Sequence, residues 1–398
     1  MINKKIEDIT EADLQALIAN NVLEGKTIEY KKELPGNTDS NKKEFLADVT
    51  SFANTSGGDL IFGIEEDNST HEPRSLIGTE VENIDIEKTR LDNIIRTGVE
   101  PRLLNVTIKP IFLNNSKYAV LIRIPKSWIS PHRVIFSGHS KFYARNSSGK
   151  YDMDIDELRI AFNLSETFIE NIRNFITDRI SKILSNETPV ALEPYPKTVL
   201  HIITIEAFQT ARIYEIDSIF ENRHEKLPLL YRSVLNGRYN LDGIVTYSDR
   251  QEGDIYSSYT QLYRKGIIEA VDSRILIPRD IRGNILKIIS SKLFEEKIIK
   301  STSSYLNLLS ELSIEPPVFI FLRMLNVKGY RITTGNQFAP YSQDSIERDI
   351  LTLPEIMVQN YNDNIEKLLK PIFDLIWNAC GEPKSLNFDE DGNWIGRR

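Results

Sequence analysis

The stretch FANTSGGDLIFGIEED, residues 52–67, decides how the first half of the chain is read. An apolar helix runs into Gly57-Gly58, and glycine supplies the left-handed conformation that commonly ends helices. DLIFGI then reads as a buried strand, with Glu65-Glu66-Asp67 as the turn after it. Upstream, KKEFLADVTSFANT is the helix, with Phe45, Leu46, Val49, Phe52 and Ala53 at core-facing spacing. LEGKTIEYKKEL, residues 23–34, is a short strand entered through Gly25, and PGNTDSN is the loop between strand and helix. IEDITEADLQALIANNV, residues 6–22, reads as an amphipathic helix.

Working outward, IDIEKTRLDNIIRTGV (84–99) is helical, and NVTIKPIFL with KYAVLIRI forms a hairpin about Asn114-Asn115-Ser116. Residues 125–154 are turns and short strands, and IDELRIAFNL is a closing helix. The expected fold class is α/β (α+β). A first domain, 1–164, has a mixed sheet flanked by helices, and a helical connector covers 165–190. A second α/β domain rich in helices covers 191–398. In that domain VLHIITIEAF (199–208) is a strand, and residues 237–250 with 258–278 are strands around a helix. Helical patterns dominate after 280, and the tail DEDGNWIGRR is polar and frayed.

At 398 residues, 40% hydrophobic and 27% charged, the chain has the composition of a globular protein with real cores. No apolar run approaches the roughly 18 residues of a membrane span. The start of the sequence lacks a signal-peptide core, so a soluble cytoplasmic protein is expected. A single cysteine, Cys380, excludes an internal disulfide framework and a cysteine-rich zinc site. The net charge of −8 excludes a basic coat over the whole surface but leaves room for a local basic face.

Glu29 and Lys31 lie two apart on a strand and share a face. Glu24 precedes them across the Gly25 bend, and Glu65 follows a strand that can neighbour theirs. Three carboxylates and an ammonium at adjoining strand ends suit a hard cation such as Mg²⁺ or Mn²⁺ beside a phosphate. The same residues also read as a solvated salt bridge and turn acids, and spacing alone leaves both open.

Together, LEGKTIEYK and SFANTSGGDLIFGIEED resemble the signature of the Schlafen-type, AlbA-like (divergent AAA) nucleic-acid-binding domain. The matching elements are Glu-x4-Glu-aromatic-Lys, Asn-Thr-x-Gly-Gly and Gly63-Ile64-Glu65, and the likeness covers about residues 8–164. It implies a metal-dependent endoribonuclease acting on tRNA or other structured RNA in a defence or toxin context, with Mg or Mn. Carried over residue by residue, the metal ligands become Glu24, Glu29 and Glu65, a glutamate where aspartate is usual, with Asp67 as the alternative and Lys31 as a catalytic cation. No nucleotide is expected, because Gly57-Gly58 follows a helix, whereas phosphate-cradling glycines precede one. Eukaryotic relatives carry two such lobes per chain, so a homodimer is implied here.

KSWISPHRVIFSGHSKFYARNSSGKY, residues 126–151, contains no Asp or Glu. Lys126, His132, Arg133, Lys141, Arg145 and Lys150 can form a phosphate-contacting edge, with Trp128 or Tyr143 stacking on a base. Inward packing of Phe142 and Tyr143, with Arg145 bracing the sheet, is the alternative. The competing function classes are a non-catalytic DNA-binding transcriptional regulator and an assembly scaffold.

Overall fold

The computed structural model describes residues 1–67, 72–209, 212–250, 253–281, 283–333, 342 and 344–396. It divides into two units, Met1–Ile169 and Glu170–Arg398. Among the described residues, no helix is long and apolar enough to cross a membrane.

The first unit contains α1 (Glu11–Ala19), β1 (Ile28–Lys31), α2 (Asp39–Asn54), β2 (Gly58–Phe62), β3 (Ile64–Glu66), β4 (Pro73–Leu76) and α3 (Ile84–Gly98). β5 (Val99–Glu100), β6 (Thr107–Phe112), β7 (Tyr118–Ile124), β8 (Arg133–Val134), β9 (Lys141–Asn146) and β10 (Gly149–Asp152) lead to α4 (Ile155–Leu184). One sheet has the order β1-β2-β7-β6, with β1 parallel to β2 and the other pairs antiparallel. A second has the order β10-β9-β8-β5, and β3 pairs with β4 as a hairpin. The mixed α/β architecture is the one expected.

Alternation along β2 feeds two cores. Leu60 and Phe62 join Phe45, Val49 and Phe52 of α2 and Leu91 of α3, while Ile61 joins Ile28, Tyr30 and Leu14 on the other side. α2 begins a turn earlier than its apolar stripe suggests, because Thr38 caps it, accepting the Asn41 N–H at 3.2 Å.

Its far end is stapled. The Asn54 side-chain amide donates to the carbonyls of His132 (2.9 Å) and Tyr143 (2.8 Å) and accepts the His132 N–H at 2.6 Å. Thr55 Oγ1 donates to Ser51 O and accepts the Arg145 N–H at 3.1 Å. Gly57, with φ +69°, then turns the chain, and a Cβ there would lie 2.6 Å from the Lys126 nitrogen.

The strand read as 59–64 breaks at Gly63, whose φ is +98° and whose N–H donates to Lys31 O at 2.8 Å. The acids that follow therefore continue as β3 and do not form a turn; Glu65 pairs with Lys32, whereas Glu66 feels the charges of Lys31 and Glu29. α4 is a single helix where the sequence suggested two, since no breaker separates Leu164 from Ser165.

The second unit contains β11 (Lys197–Thr204), α5 (Glu206–Gln209), α6 (Asp217–Glu221), α7 (Arg223–Lys226), β12 (Asn236–Tyr239), β13 (Gly243–Tyr247), β14 (Ser258–Tyr263) and β15 (Ile268–Asp272). These are followed by β16 (Arg279–Ile281), β17 (Asn284–Leu286), β18 (Ile288–Ser290), α8 (Ser291–Glu311), β19 (Val318–Leu325), β20 (Arg331–Thr333), β21 (Ile350–Thr352), β22 (Ile356–Val358) and α9 (Ile365–Asn378). An antiparallel sheet runs β12-β13-β14-β15-β11-β19, and β21 and β22 both pair with β19. α8 and α9 pack on one of its faces, where Phe294, Ile298, Phe373 and Trp377 meet Leu200, Ile202, Ile320 and Leu322.

Several local expectations change here. Residues 258–278 hold the β14–β15 hairpin without a helix, and residues 284–290 are strands. The tail is anchored and not frayed: Trp394 is buried, and its indole N–H donates to Glu295 at 3.2 Å.

Asn54→Ala removes three hydrogen bonds to partly buried backbone groups. A loss of about 2–4 kcal/mol in unfolding free energy is expected, measurable by urea denaturation followed through circular dichroism.

Candidate functional site

Ile28 and Tyr30 point into the core beneath α1, so Glu29 and Lys31 share the face that α2 covers. Glu29 is 8% exposed. One of its oxygens accepts from Lys31 Nζ at 2.6 Å, and the other accepts from the Arg145 guanidinium. Arg145, from β9, is 2% exposed and lies over the Phe52 ring at 4.0 Å. Its Nε and Nη1 have no hydrogen-bond partner among the described residues. Behind Lys31, buried Asp48 is held by Lys150 Nζ at 2.7 Å, and Lys150 also bonds Glu44 at 2.6 Å.

Half-buried Glu24 folds back over β1 and accepts the Tyr30 N–H at 2.6 Å. Burial, reinforced by the charges of Glu29 and Glu66, pushes its pKa up to about 7, against that hydrogen bond. Burial also raises Glu66, with Glu29 adding to the effect and Lys31 opposing it. Glu66 Oε1 is buried with no hydrogen-bond partner among the described residues. For Glu29, burial works against the charged form, but Lys31 and Arg145 outweigh it and hold the carboxyl below its usual range. For Lys31, burial again opposes the charge, and Asp48, Glu29 and Glu24 overcome it. Asp48 is raised by burial despite Lys150 and Lys31.

Of the acids that spacing offered as ligands, Glu24 and Glu29 come together. Glu65 faces away, pairing with Lys32 at 2.7 Å, and that bond lowers its pKa. Asp67 lies beyond the end of β3, its N–H donating to Glu72 O at 2.9 Å. Glu66, which reads as a turn residue in the sequence, is the third acid of the cluster, and with Glu29 its charge is felt by Glu24. The signal for it was Gly63, a kink that starts a new strand and resets which residues share a face.

The basic run divides in the same way. His132 is fully buried, its Nδ1 2.6 Å from Pro101 O, and burial lowers its pKa, so with Arg145 it belongs to the interior and not to a solvent-facing edge. Arg133 pairs with Glu100 at 2.6 Å and Lys141 with Asp152, while Lys126 is exposed. The Tyr143 hydroxyl meets His139 Nε2 at 2.7 Å, with the two rings stacked, and Trp128 packs against Phe168.

Mg²⁺ or Mn²⁺ would require several oxygen donors converging on one point. Glu24 and Glu66 are donors of the right kind, but both Glu29 oxygens are committed to Lys31 and Arg145. Among the described residues, no three Asp, Glu, His or Cys side chains are grouped so as to hold a metal ion. As placed, the cluster does not fit a three-carboxylate cage.

The raised carboxyl of Glu24 has a sign that can be tested. A folded-state pKa above the unfolded one stabilises fully below the unfolded value, and the contribution is lost as pH rises through about 7. Glu24→Gln is therefore expected to match the wild type near pH 4, below both values. It should exceed the wild type at pH 8 by about 1 kcal/mol, a figure already discounted for solvent screening. Thermal melts across that pH range measure the difference.

Residues 24–154 match the family described as Schlafen, AlbA_2. None of the curated proteins matches the chain. Among solved structures, the DIP2311 protein from Corynebacterium diphtheriae is 20% identical over 36% of this chain and 26% of its own, with a TM-score of 0.25. The N-terminal domain of an ATP-dependent DNA helicase RecG-related protein from Nitrosomonas europaea is 19% identical over 28% of this chain and 71% of its own, with a TM-score of 0.23. The chain thus spans about a quarter of the length of the first. The Glu24–Lys31 segment, the Asn54–Gly58 staple and the acids after Gly63 all fall inside the segment that matches the Schlafen, AlbA_2 family.

Proposed function

We propose that the N-terminal unit binds nucleic acid and cleaves structured RNA of the tRNA type at the cluster of Glu24, Glu29, Glu66 and Lys31. The observation that carries the reading is Glu24, a half-buried carboxyl whose pKa is pushed up to about 7 by burial, reinforced by the charges of Glu29 and Glu66, beside the partly buried Lys31 ammonium that Glu29 holds. Groups perturbed in this way mark sites of proton transfer, where a pKa near the working pH is most effective.

The chain's own groups suffice for strand cleavage. Ionised Glu24 takes the proton of a ribose 2′-hydroxyl, and the 2′-oxygen attacks the adjacent phosphorus. The bond to the 5′-oxygen breaks, that oxygen takes a proton from solvent, and a 2′,3′-cyclic phosphate remains. Lys31 neutralises the charge that builds on the phosphoryl oxygens. Glu29 and Arg145 act as positioning residues, holding Lys31 in place. Because the nucleophile is the 2′-hydroxyl, DNA is not a substrate. Exposed Lys126 supports strand binding, as do Arg133 and Lys141, whose partly exposed ion pairs exchange readily for phosphate.

Purified protein incubated with total tRNA, in EDTA and separately with Mn²⁺, tests the reading. Cleavage leaving 2′,3′-cyclic ends is expected, rising with pH through about 7. It should fall roughly 100-fold or more in Glu24→Gln and stay near wild type in Glu65→Gln. A strict need for Mn²⁺ or Mg²⁺ would mean that Glu29 exchanges Lys31 for the ion. No cleavage, with salt-sensitive binding to duplex DNA, would favour a regulator over a nuclease.

The single family lobe in this chain supports a homodimer as part of the same proposal. Light scattering at micromolar concentration should give twice the 45.7 kDa chain mass, and a monodisperse 45.7 kDa species would overturn the dimer.

A further inference from the structure

β12 (Asn236–Tyr239) ends the large antiparallel sheet of the second unit, and among the described residues no strand pairs with its outer edge. The hairpin that follows fixes which groups that edge offers. Asn240 N–H donates to Gly243 O at 2.9 Å, and the register runs from Tyr239 opposite Ile244 to Asn236 opposite Tyr247. Residues facing each other across antiparallel strands alternate between bonded and non-bonded pairs. Asn240, Arg238 and Asn236 therefore direct their backbone groups to β13, and Gly237 and Tyr239 turn theirs outward.

An open edge pairs with other strands unless a cation, a proline or a covering loop guards it. Arg238 is the cation on this strand, but it is folded back, its guanidinium donating to Pro189 O at 2.8 Å. The side chains flanking the edge are apolar and exposed: Leu235 at 54%, Tyr239 at 41% and Leu241, at the hairpin tip, at 94%. Tyr239 is stacked on Phe220 with ring centroids 4.4 Å apart, so it is already ordered for a contact.

Read in reverse, Leu235-Asn236-Gly237-Arg238-Tyr239 is complementary to itself. With a two-fold axis at Gly237, that residue meets its own copy, and its outward N–H and C=O groups form a bonded pair. Leu235 of each copy then lies across from Tyr239 of the other, and Asn236 across from Arg238, so no like charges are opposed. An axis at Arg238 would instead set two guanidinium groups against each other. Gly237 has no side chain to obstruct the approach, and the place of its Cβ is taken by Arg223, whose Cδ would lie 2.8 Å away. Asp217 and Glu221 lie beside Tyr239, so the surroundings of the axis carry both signs of charge.

The geometry points to a second copy of this chain as the occupant of the β12 edge, joining two sheets into one across a two-fold axis at Gly237. The inference rests on the homodimer proposed above and gives it a surface in the second unit. Each copy contributes the same edge, so the contact closes at two chains and does not propagate.

Light scattering on the full chain, over a dilution series from micromolar concentration, tests the interface. It compares wild type with the double variants Leu235→Lys/Tyr239→Lys and Leu235→Glu/Tyr239→Glu. Both positions are exposed, so each variant should keep the wild-type circular dichroism spectrum. Wild type is expected at twice the 45.7 kDa chain mass. Each variant sets like charges across the axis and should dissociate at concentrations at least about tenfold higher than wild type. An equimolar mixture of the two sets lysine against glutamate and should recover the dimer. A dimer undiminished in both variants, or no recovery in the mixture, overturns this interface and leaves the dimer itself standing. A monomeric wild type overturns both.

Discussion

Glu29 and Arg145 are almost sealed from water, and the first unit is organised around their contact. The pair joins β1 of one sheet to β9 of the other. Taking both charges out of water is costly, and apolar residues of similar volume would stabilise the fold at least as well. What the pair supplies is position. With Arg145 on one oxygen, Glu29 stays ionised and offers the other to Lys31, so the ammonium is held at the end of β1. The negative charge retained on Glu29 then works with burial to keep Glu24 near neutrality. Removing either partner would strand a buried charge, typically at about 3–5 kcal/mol.

Arg145 is in turn held by the segment that closes α2. Phe52 lies under its guanidinium, Thr55 accepts its backbone N–H, and Asn54 binds the strands on either side. Much of this was legible in the sequence. The apolar stripe of α2, its glycine stop and the shared face of Glu29 and Lys31 all follow from backbone periodicity, which side chains cannot override locally. The assignment of Glu66 did not follow, because the positive φ at Gly63 breaks the two-residue alternation and the count restarts beyond it.

Two other segments turn on the same point, which is that proximity in sequence is not proximity in space. Residues 126–151 contain no acid, yet in the fold their cations meet Glu29, Glu44, Asp48, Glu100 and Asp152 from other elements. The tail from 389 is polar on average, but one tryptophan reaching a buried carboxylate is enough to fix it. The run VFIFLRML fell in a region read as helical. A short, continuously apolar segment carries no periodicity to separate helix from strand, and it forms β19 near the centre of the second sheet.

The buried acids of the two units can be separated by how completely they are satisfied. Glu269 accepts two bonds from Arg179 and one each from His201 and Tyr259. Burial opposes its charge, but Arg179 and His201 hold its pKa down to about 2. Glu295 accepts from Trp377, Ser385, Asn387 and Trp394. Such carboxylates have no capacity left for a substrate, and their role is to join elements. Among the described residues, Glu66 leaves a buried oxygen unpartnered, and Glu24, with a pKa raised to about 7, accepts from a single backbone donor against four donors for each structural acid. A fold able to saturate Glu269 and Glu295 leaves these two short of donors at one strand end. That shortfall makes the ionised form of Glu24 costly to the fold, and it leaves the group able to exchange a proton at neutral pH.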